Sequence, residues 1–180
     1  MIQIDILNQG SIPGCAAFAC AGLANAYLKQ RGQTDFIDAI KLYEESRRRG
    51  MDGNKFEDLF ADGVNTGWPL FSGKRIKVKN WQFIPPQISE IEKALDKYGG
   101  LVASYDLYDG DPFNDRFVNH RLVRRPNTQH GIVLVGYNDN ARELKFANSW
   151  GSSWQDNGYG YIPYVLSGYD FLKQTFFFEI

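Results

Sequence analysis

The sequence predicts an α+β domain whose helices come first and whose strands come later. Three observations carry this. An Ala-rich apolar run with almost no breakers covers Cys15 to Leu28. Thr34–Arg49 and Ile88–Tyr98 place apolar residues at helical spacing. After Gly99-Gly100 the pattern changes to short runs bounded by turn residues, of which G-I-V-L-V-G-Y at 131–137 is the clearest. A short continuous apolar run of that kind is expected of a strand covered on both faces. At 180 residues the chain has room for one domain with a sizeable core. The order of elements divides it into a helical part, about residues 10–70, and an antiparallel sheet part formed by about 1–9 and 71–180.

Residues 2–7 alternate weakly and predict a short strand. Gly10, Ser11, Pro13 and Gly14 then fall within five residues, which leaves room only for turns. The first helix begins at or next to Cys15 and ends near Gln30, before Arg31-Gly32. Its many small residues predict a buried central helix. The second helix, Thr34–Arg49, ends on Arg47-Arg48-Arg49, read as a solvated last turn that complements the helix dipole. Gly50–Asn54 is a loop, and Lys55–Ala61 a short amphipathic helix closed by Asp62-Gly63. Lys74–Phe83 alternates as a strand and stops at Pro85-Pro86, and the Ile88–Tyr98 helix stops at Gly99-Gly100. Leu101–Leu107 is a strand, followed by a long polar loop to Gln129 that carries Gly110, Pro112 and Pro126. Strands at Gly131–Tyr137, Leu144–Asn148, Gly158–Ile162 and Thr175–Ile180 complete the sheet.

Composition excludes several classes of function. A net charge of −1 argues against nucleic acid or an anionic membrane as the main partner. No apolar run reaches the ~18 residues a membrane span needs, and the N-terminus lacks the basic start and apolar core of a signal peptide. The two cysteines, Cys15 and Cys20, lie on one predicted helix with Cα atoms about 8 Å apart, beyond disulfide reach. A reducing compartment such as the cytoplasm fits, as does export without a signal peptide recognisable in this sequence. Two cysteines and two histidines at these spacings match no structural zinc site, so neither a metal nor a cofactor is expected.

Chemistry concentrates at three places. Cys15 sits at a helix start, where the partial positive charge of the N-terminus favours thiolate. Taken alone it reads more readily as a core residue than as a nucleophile, since free cysteines are among the most buried side chains. Gln9, in the turn upstream, can bring an amide donor over the sulfur. Of the two histidines, His120 lies in the polar loop and reads as a solvated surface residue. His130 opens the buried strand, where an imidazole is held by the sheet with its near-neutral pKa suited to proton transfer. Asn148 ends a strand antiparallel to that of His130, so its amide can accept from the ring N–H and hold the tautomer. Trp150 is close enough in sequence to cover that hydrogen bond.

Q-G-S-I-P-G-C-A-A-F, H-G-I-V-L-V-G-Y and F-A-N-S-W-G-S-S-W-Q-D-N-G-Y-G-Y-I, in that order, resemble the papain-like cysteine peptidases. The resemblance implies a papain-like two-lobe fold: a helical lobe with a central helix starting at the nucleophile, an antiparallel sheet or barrel-like lobe, and a cleft between. It implies Cys15 as nucleophile, His130 as its base, Asn148 as the group orienting His130, and Gln9 with the Cys15 backbone N–H as oxyanion donors. Peptide or isopeptide bonds would be hydrolysed through a thioester. For substrate binding it implies Gly53 and Asn54 in the loop after the second helix, Gln129 beside the base, and Trp150. The partners implied are a peptide or protein substrate and a protein inhibitor. Three features depart from the family pattern. Ala16 stands where an aromatic residue usually follows the nucleophile, Ile12 where a disulfide cysteine usually stands, and only eight residues precede Gln9, with no inhibitory propeptide among them. Two other readings stay open: a catalytically weak peptide-binding module with this groove, and a transpeptidase or acyltransferase that passes the thioester to an amine.

Overall fold

Helix α1 (Cys15–Gln30) is buried on nearly every side; Ala17, Cys20, Ala21, Leu23 and Ala24 expose no surface. Small side chains make this possible, because neighbours can approach the helix axis closely wherever a methyl group or a hydrogen replaces a long side chain. The computed structural model describes residues 2–48, 50–109, 123–166 and 171–180. Around α1 stand α2 (Ala39–Ser46), α3 (Phe56–Asn65) and a two-stranded ribbon of β1 (Trp68–Pro69) and β2 (Arg75–Ile76). The remaining elements are β3 (Asn80–Phe83), α4 (Ile88–Tyr98), β4 (Leu101–Asp109), β5 (Val123–Asn138), β6 (Glu143–Ala147), β7 (Tyr159–Pro163) and β8 (Leu172–Glu179). Six of these strands form one antiparallel sheet in the order β3-β8-β4-β5-β6-β7.

The central strands of the sheet are buried on both faces, and the period-two alternation assigns their buried side chains to one of two cores; β3 at its edge is exposed. Val102, Val133, Val135, Ala147, Phe176 and Phe178 pack with α1, α2 and α3. Leu101, Ala103, Tyr105, Ile132, Leu134, Leu144 and Phe146 face the other way and pack with Ile91, Ala94 and Leu95 of α4. This double coverage explains the uninterrupted apolar run of β5. Among the described residues no helix is long and apolar enough to cross a membrane.

Several boundaries differ from the sequence reading, each for a physical reason. Residues 2–7 form no strand. Ile2 and Ile4 are buried, but backbone pairing is limited to a single bridge from Asn8 to Trp150. The second helix begins five residues late: the Asp38 side chain accepts from the Lys41 N–H as an N-cap, while Ile37 stays extended to bridge Leu70. It ends at Ser46 with Arg47 already extended, so Arg47 and Arg48 lie beyond the helix, and Arg48 pairs with Asp62 at 3.0 Å; Arg49 is outside the described residues. The third helix runs on through Gly63. That glycine does not terminate the helix; it makes room, since a Cβ there would lie 2.4 Å from the Val78 side chain. The Lys74–Phe83 strand is split into β2 and β3, with Val78 turned inward between them.

Gly99 caps α4 in the left-handed region at φ 82°, the role assigned to the Gly99-Gly100 pair. β4 runs two residues beyond Leu107 and β5 begins at Val123, so 123–129 belong to a strand and not to the polar loop. Their pairing, Tyr108 with Arg124 and Asp109 with Val123, is a backbone ladder that needs no apolar pattern. The rest of that loop, 110–122, lies outside the described residues, and His120 with it.

Phe178 joins the two halves of the larger core: it is fully buried, with ring centroids 5.0 Å from Trp68, 5.7 Å from Phe60 and 6.1 Å from Tyr27. Phe178→Ala is expected to cost about 3–5 kcal/mol of stability, measured by urea denaturation against the native protein.

Candidate active site

The turn before α1 supplies no side-chain cap. Gly14 occupies the N-cap and its carbonyl accepts from Phe18 at 2.9 Å, so the first N–H groups of the helix remain available. Cys15, the first helical residue, is half-buried and opens on a groove of about 80 Å³ that is also lined by Asn54, Ser104, Gln129, His130 and Gln174. The backbone N–H groups of Gly131, Ala16 and Cys15 favour its thiolate, as the helix start predicts. Burial works against them and is larger, so the Cys15 thiol is pushed above its ordinary value. The helix terminus lowers the thiol as the sequence reading expects, but the desolvation of the sulfur outweighs it. Cys20 is fully buried and pushed up further, with nothing opposing its desolvation. Both thiols are free.

His130 is 4% exposed and comes from β5, opposite Tyr105 of β4. The Tyr105 ring meets it edge-on at 5.6 Å, and the Trp150 ring lies 4.6 Å away at 35°. Its Nε2 lies 2.7 Å from Asn148 Oδ1. The orientation of that amide is decided by a second bond, in which the Ser149 backbone N–H donates to the same Oδ1 at 2.8 Å. A backbone N–H only donates, so the atom is an acceptor and His130 Nε2 carries the hydrogen. Nδ1 is thereby left as the basic nitrogen.

Gln9 is not among the groove-lining residues; it is held beside Ser149, next to Asn148, by a short antiparallel approach of the N-terminal segment to residues 149–151. Its N–H donates to Ser149 O at 2.8 Å, and the Gly151 N–H donates to Leu7 O at 3.0 Å. Its side chain is almost fully buried: Nε2 donates to Ile12 O at 2.8 Å and Oε1 accepts from Ser149 Oγ at 2.5 Å. The approach of β5 to α1 is closest at Gly131, where a Cβ would lie 2.9 Å from Ala16 N and 3.0 Å from the Cys15 carbonyl carbon. Position 16 is correspondingly small.

With this geometry in hand, comparison with known proteins gives a consistent result. The family model described as papain family cysteine protease matches residues 70–168, a stretch that holds His130 and Asn148. This chain belongs to the papain family. Peptidase 1 of Dermatophagoides pteronyssinus is 26% identical over 87% of the chain and 56% of its own length. The probable cysteine protease RD19D of Arabidopsis thaliana is 22% identical over 86% of the chain and 52% of its own length. The chain therefore spans about half the length of the curated relatives it matches. Among solved structures, xylellain, a cysteine protease from Xylella fastidiosa, superposes with a TM-score of 0.83 at 17% identity, covering 97% of this chain and 82% of that one. Procathepsin L2 proteinase of Tenebrio molitor larval midgut gives 0.78 at 15% identity, covering 99% and 65%.

In this papain-family chain the remaining expected site residues divide. Asn54 and Gln129 line the groove with Cys15 and His130. Asn54 Nδ2 donates to Tyr43 O at 3.2 Å, while its buried Oδ1 is left without a partner among the described residues. Gly53 stands behind them at φ 103°, where a Cβ would lie 3.2 Å from the Pro13 carbonyl, so it holds the loop against the cysteine turn. Trp150 covers His130 and is not part of the groove lining. Sequence reasoning missed Gly131, Ser149, Ser104 and Gln174. Ser104 and Gln174 are adjacent across β4 and β8, and Gln174 donates to Glu57 at 2.8 Å; no local spacing signals such a pairing.

Gly131→Ala tests the close approach. The added methyl meets backbone that cannot yield without moving β5 from α1, so a loss of about 1–3 kcal/mol is expected, together with slower alkylation of Cys15. Thermal melting and iodoacetamide kinetics measure the two effects.

Proposed function

We propose that this chain is a cysteine peptidase in which Cys15, His130 and Asn148 act as a triad on peptide or isopeptide bonds. The observation that carries the reading is the amide of Asn148, oriented by the Ser149 N–H, which leaves the basic nitrogen of a buried imidazole in the same groove as the half-buried thiol. A desolvated thiol is a poor nucleophile by itself, and a neighbouring imidazole with a free basic nitrogen is the group suited to take its proton.

In this reading His130 Nδ1 accepts the Cys15 proton as the sulfur attacks the substrate carbonyl carbon. The oxyanion that forms is held by the Cys15 backbone N–H and the Gln9 side-chain amide. The imidazolium then gives its proton to the leaving amine, the C–N bond breaks and a thioester remains. His130 next takes a proton from water, the hydroxide attacks the thioester, and the thiol is regenerated as the acid departs. Trp150 and Tyr105 cover the imidazole and exclude water from its hydrogen bond to Asn148, which strengthens that bond. Asn54 Oδ1, buried and unpartnered among the described residues, is suited to accept from a substrate backbone N–H. The substrate is accordingly an extended segment of a peptide or protein laid along the groove.

Cys15→Ala is expected to abolish peptide hydrolysis while leaving the melting temperature near that of the native protein; hydrolysis retained by this variant rules out the reading. In the native protein iodoacetamide should label Cys15 ahead of Cys20, read by mass mapping. His130→Ala removes the proton acceptor and leaves a thiol that burial holds high. Its alkylation should therefore slow at neutral pH by about tenfold for each unit that the thiol pKa rises, with the pH midpoint displaced upward.

A further inference from the structure

We propose that Ser149 is a positioning residue whose hydroxyl clamps the Gln9 amide so that one of its N–H bonds faces the oxyanion. The inference rests on the peptidase reading and on the role that reading gives Gln9. A primary amide offers two faces of opposite chemistry, and rotated by half a turn it presents an acceptor to an oxyanion in place of a donor. The carbonyl of Ile12 can only accept, and it receives one hydrogen from Gln9 Nε2 at 2.8 Å. The Ser149 hydroxyl donates to Gln9 Oε1 at 2.5 Å. The two contacts hold the amide at both ends and leave the second Nε2 hydrogen for the reacting carbonyl. Donation to Oε1 also polarises the amide and makes that remaining hydrogen a stronger donor.

Ser149 is 5% exposed, Gln9 is 9% exposed, and the two lie 140 positions apart in sequence. Without the hydroxyl, Oε1 would be a buried acceptor lacking its donor, and the amide would rotate to find another. The backbone of the same residue performs two further tasks: its N–H donates to Asn148 Oδ1 and its carbonyl accepts from the Gln9 N–H. One residue thus links the group that orients the imidazole to the group that receives the oxyanion. Because Ser149→Ala keeps both backbone bonds, it isolates the hydroxyl.

The test is a double-mutant cycle of Ser149→Ala and Gln9→Ala on a cleaved peptide substrate. Ser149→Ala should lower kcat by about tenfold or more, part of what removal of a whole oxyanion donor costs, with KM nearly unchanged. In the Gln9→Ala background it should cost nothing further. Iodoacetamide alkylation of Cys15, a displacement at carbon that forms no oxyanion, should proceed at the native rate and reports that fold and thiol are intact. An equal loss in both backgrounds, a loss confined to KM, or slowed alkylation overturns the proposal. A readout independent of turnover is solvent exchange of the Gln9 side-chain NH2 by NMR. It should be slow in the native protein and faster in Ser149→Ala; equal rates overturn the clamp. Absence of Cys15-dependent hydrolysis in the native protein would defeat the peptidase reading, while the exchange comparison would still decide whether Ser149 holds the amide.

Discussion

Backbone meets backbone where β5 passes the first turn of α1, and the position that passes is Gly131. Any side chain there would strike the peptide between Cys15 and Ala16, so the distance between the imidazole strand and the thiol helix is limited by the size of one hydrogen atom. The alternation of the strand then does the rest. Gly131 packs against α1, and His130, one residue earlier, lines the same groove as Cys15 with its ring between those of Tyr105 and Trp150. Both cores depend on this register, because a slip of one residue would exchange Val133 and Val135 with Ile132 and Leu134 and bury the wrong set.

Burial has two opposed consequences at this site. It pushes the Cys15 thiol up, which by itself makes the sulfur a weaker nucleophile. It also strengthens every hydrogen bond from which the surrounding groups are built, since competing water is removed. The described core carries few buried polar side chains, and Gln9, His130, Asn148 and Ser149 are four of them. They are bonded to one another in a connected set, from the imidazole through Asn148 and Ser149 to Gln9 and the Ile12 carbonyl. Such a set is rigid where its members are satisfied and costly where they are not; Asn148 Nδ2 is its one buried atom without a partner among the described residues. Rigidity is what an oxyanion donor and an oriented imidazole require.

Much of the architecture was legible in the residues. The composition of α1, the glycine cap of α4 and the unbroken apolar run of β5 each announce a local structure whose cause is local. Where reading failed, the cause was distant. Residues 2–7 alternate like a strand, yet their backbone joins no ladder, and their apolar side chains pack into the core around α1. Gly63 looks like a terminator because a helix offers no local reason to keep a glycine; its reason is Val78 and Trp68, brought in by the ribbon that follows. Residues 123–129 look like loop because backbone pairing with β4 leaves no mark on side-chain chemistry.

The site divides along the same line. From the sequence alone came the cysteine at a helix start, a histidine and an asparagine tied to neighbouring antiparallel strands, and the motif order shared with the papain family, although the histidine lies inside its strand and the asparagine just past the end of the next. Those features follow from residue type and neighbouring residues, which a linear chain displays directly. Tertiary structure alone decided that burial outweighs the helix terminus at Cys15, that Asn148 presents its oxygen to the imidazole, and that a serine next to Asn148 grips a glutamine near the N-terminus. These depend on which groups meet across long separations and how much water is excluded when they do, and neither quantity is written in the order of residues.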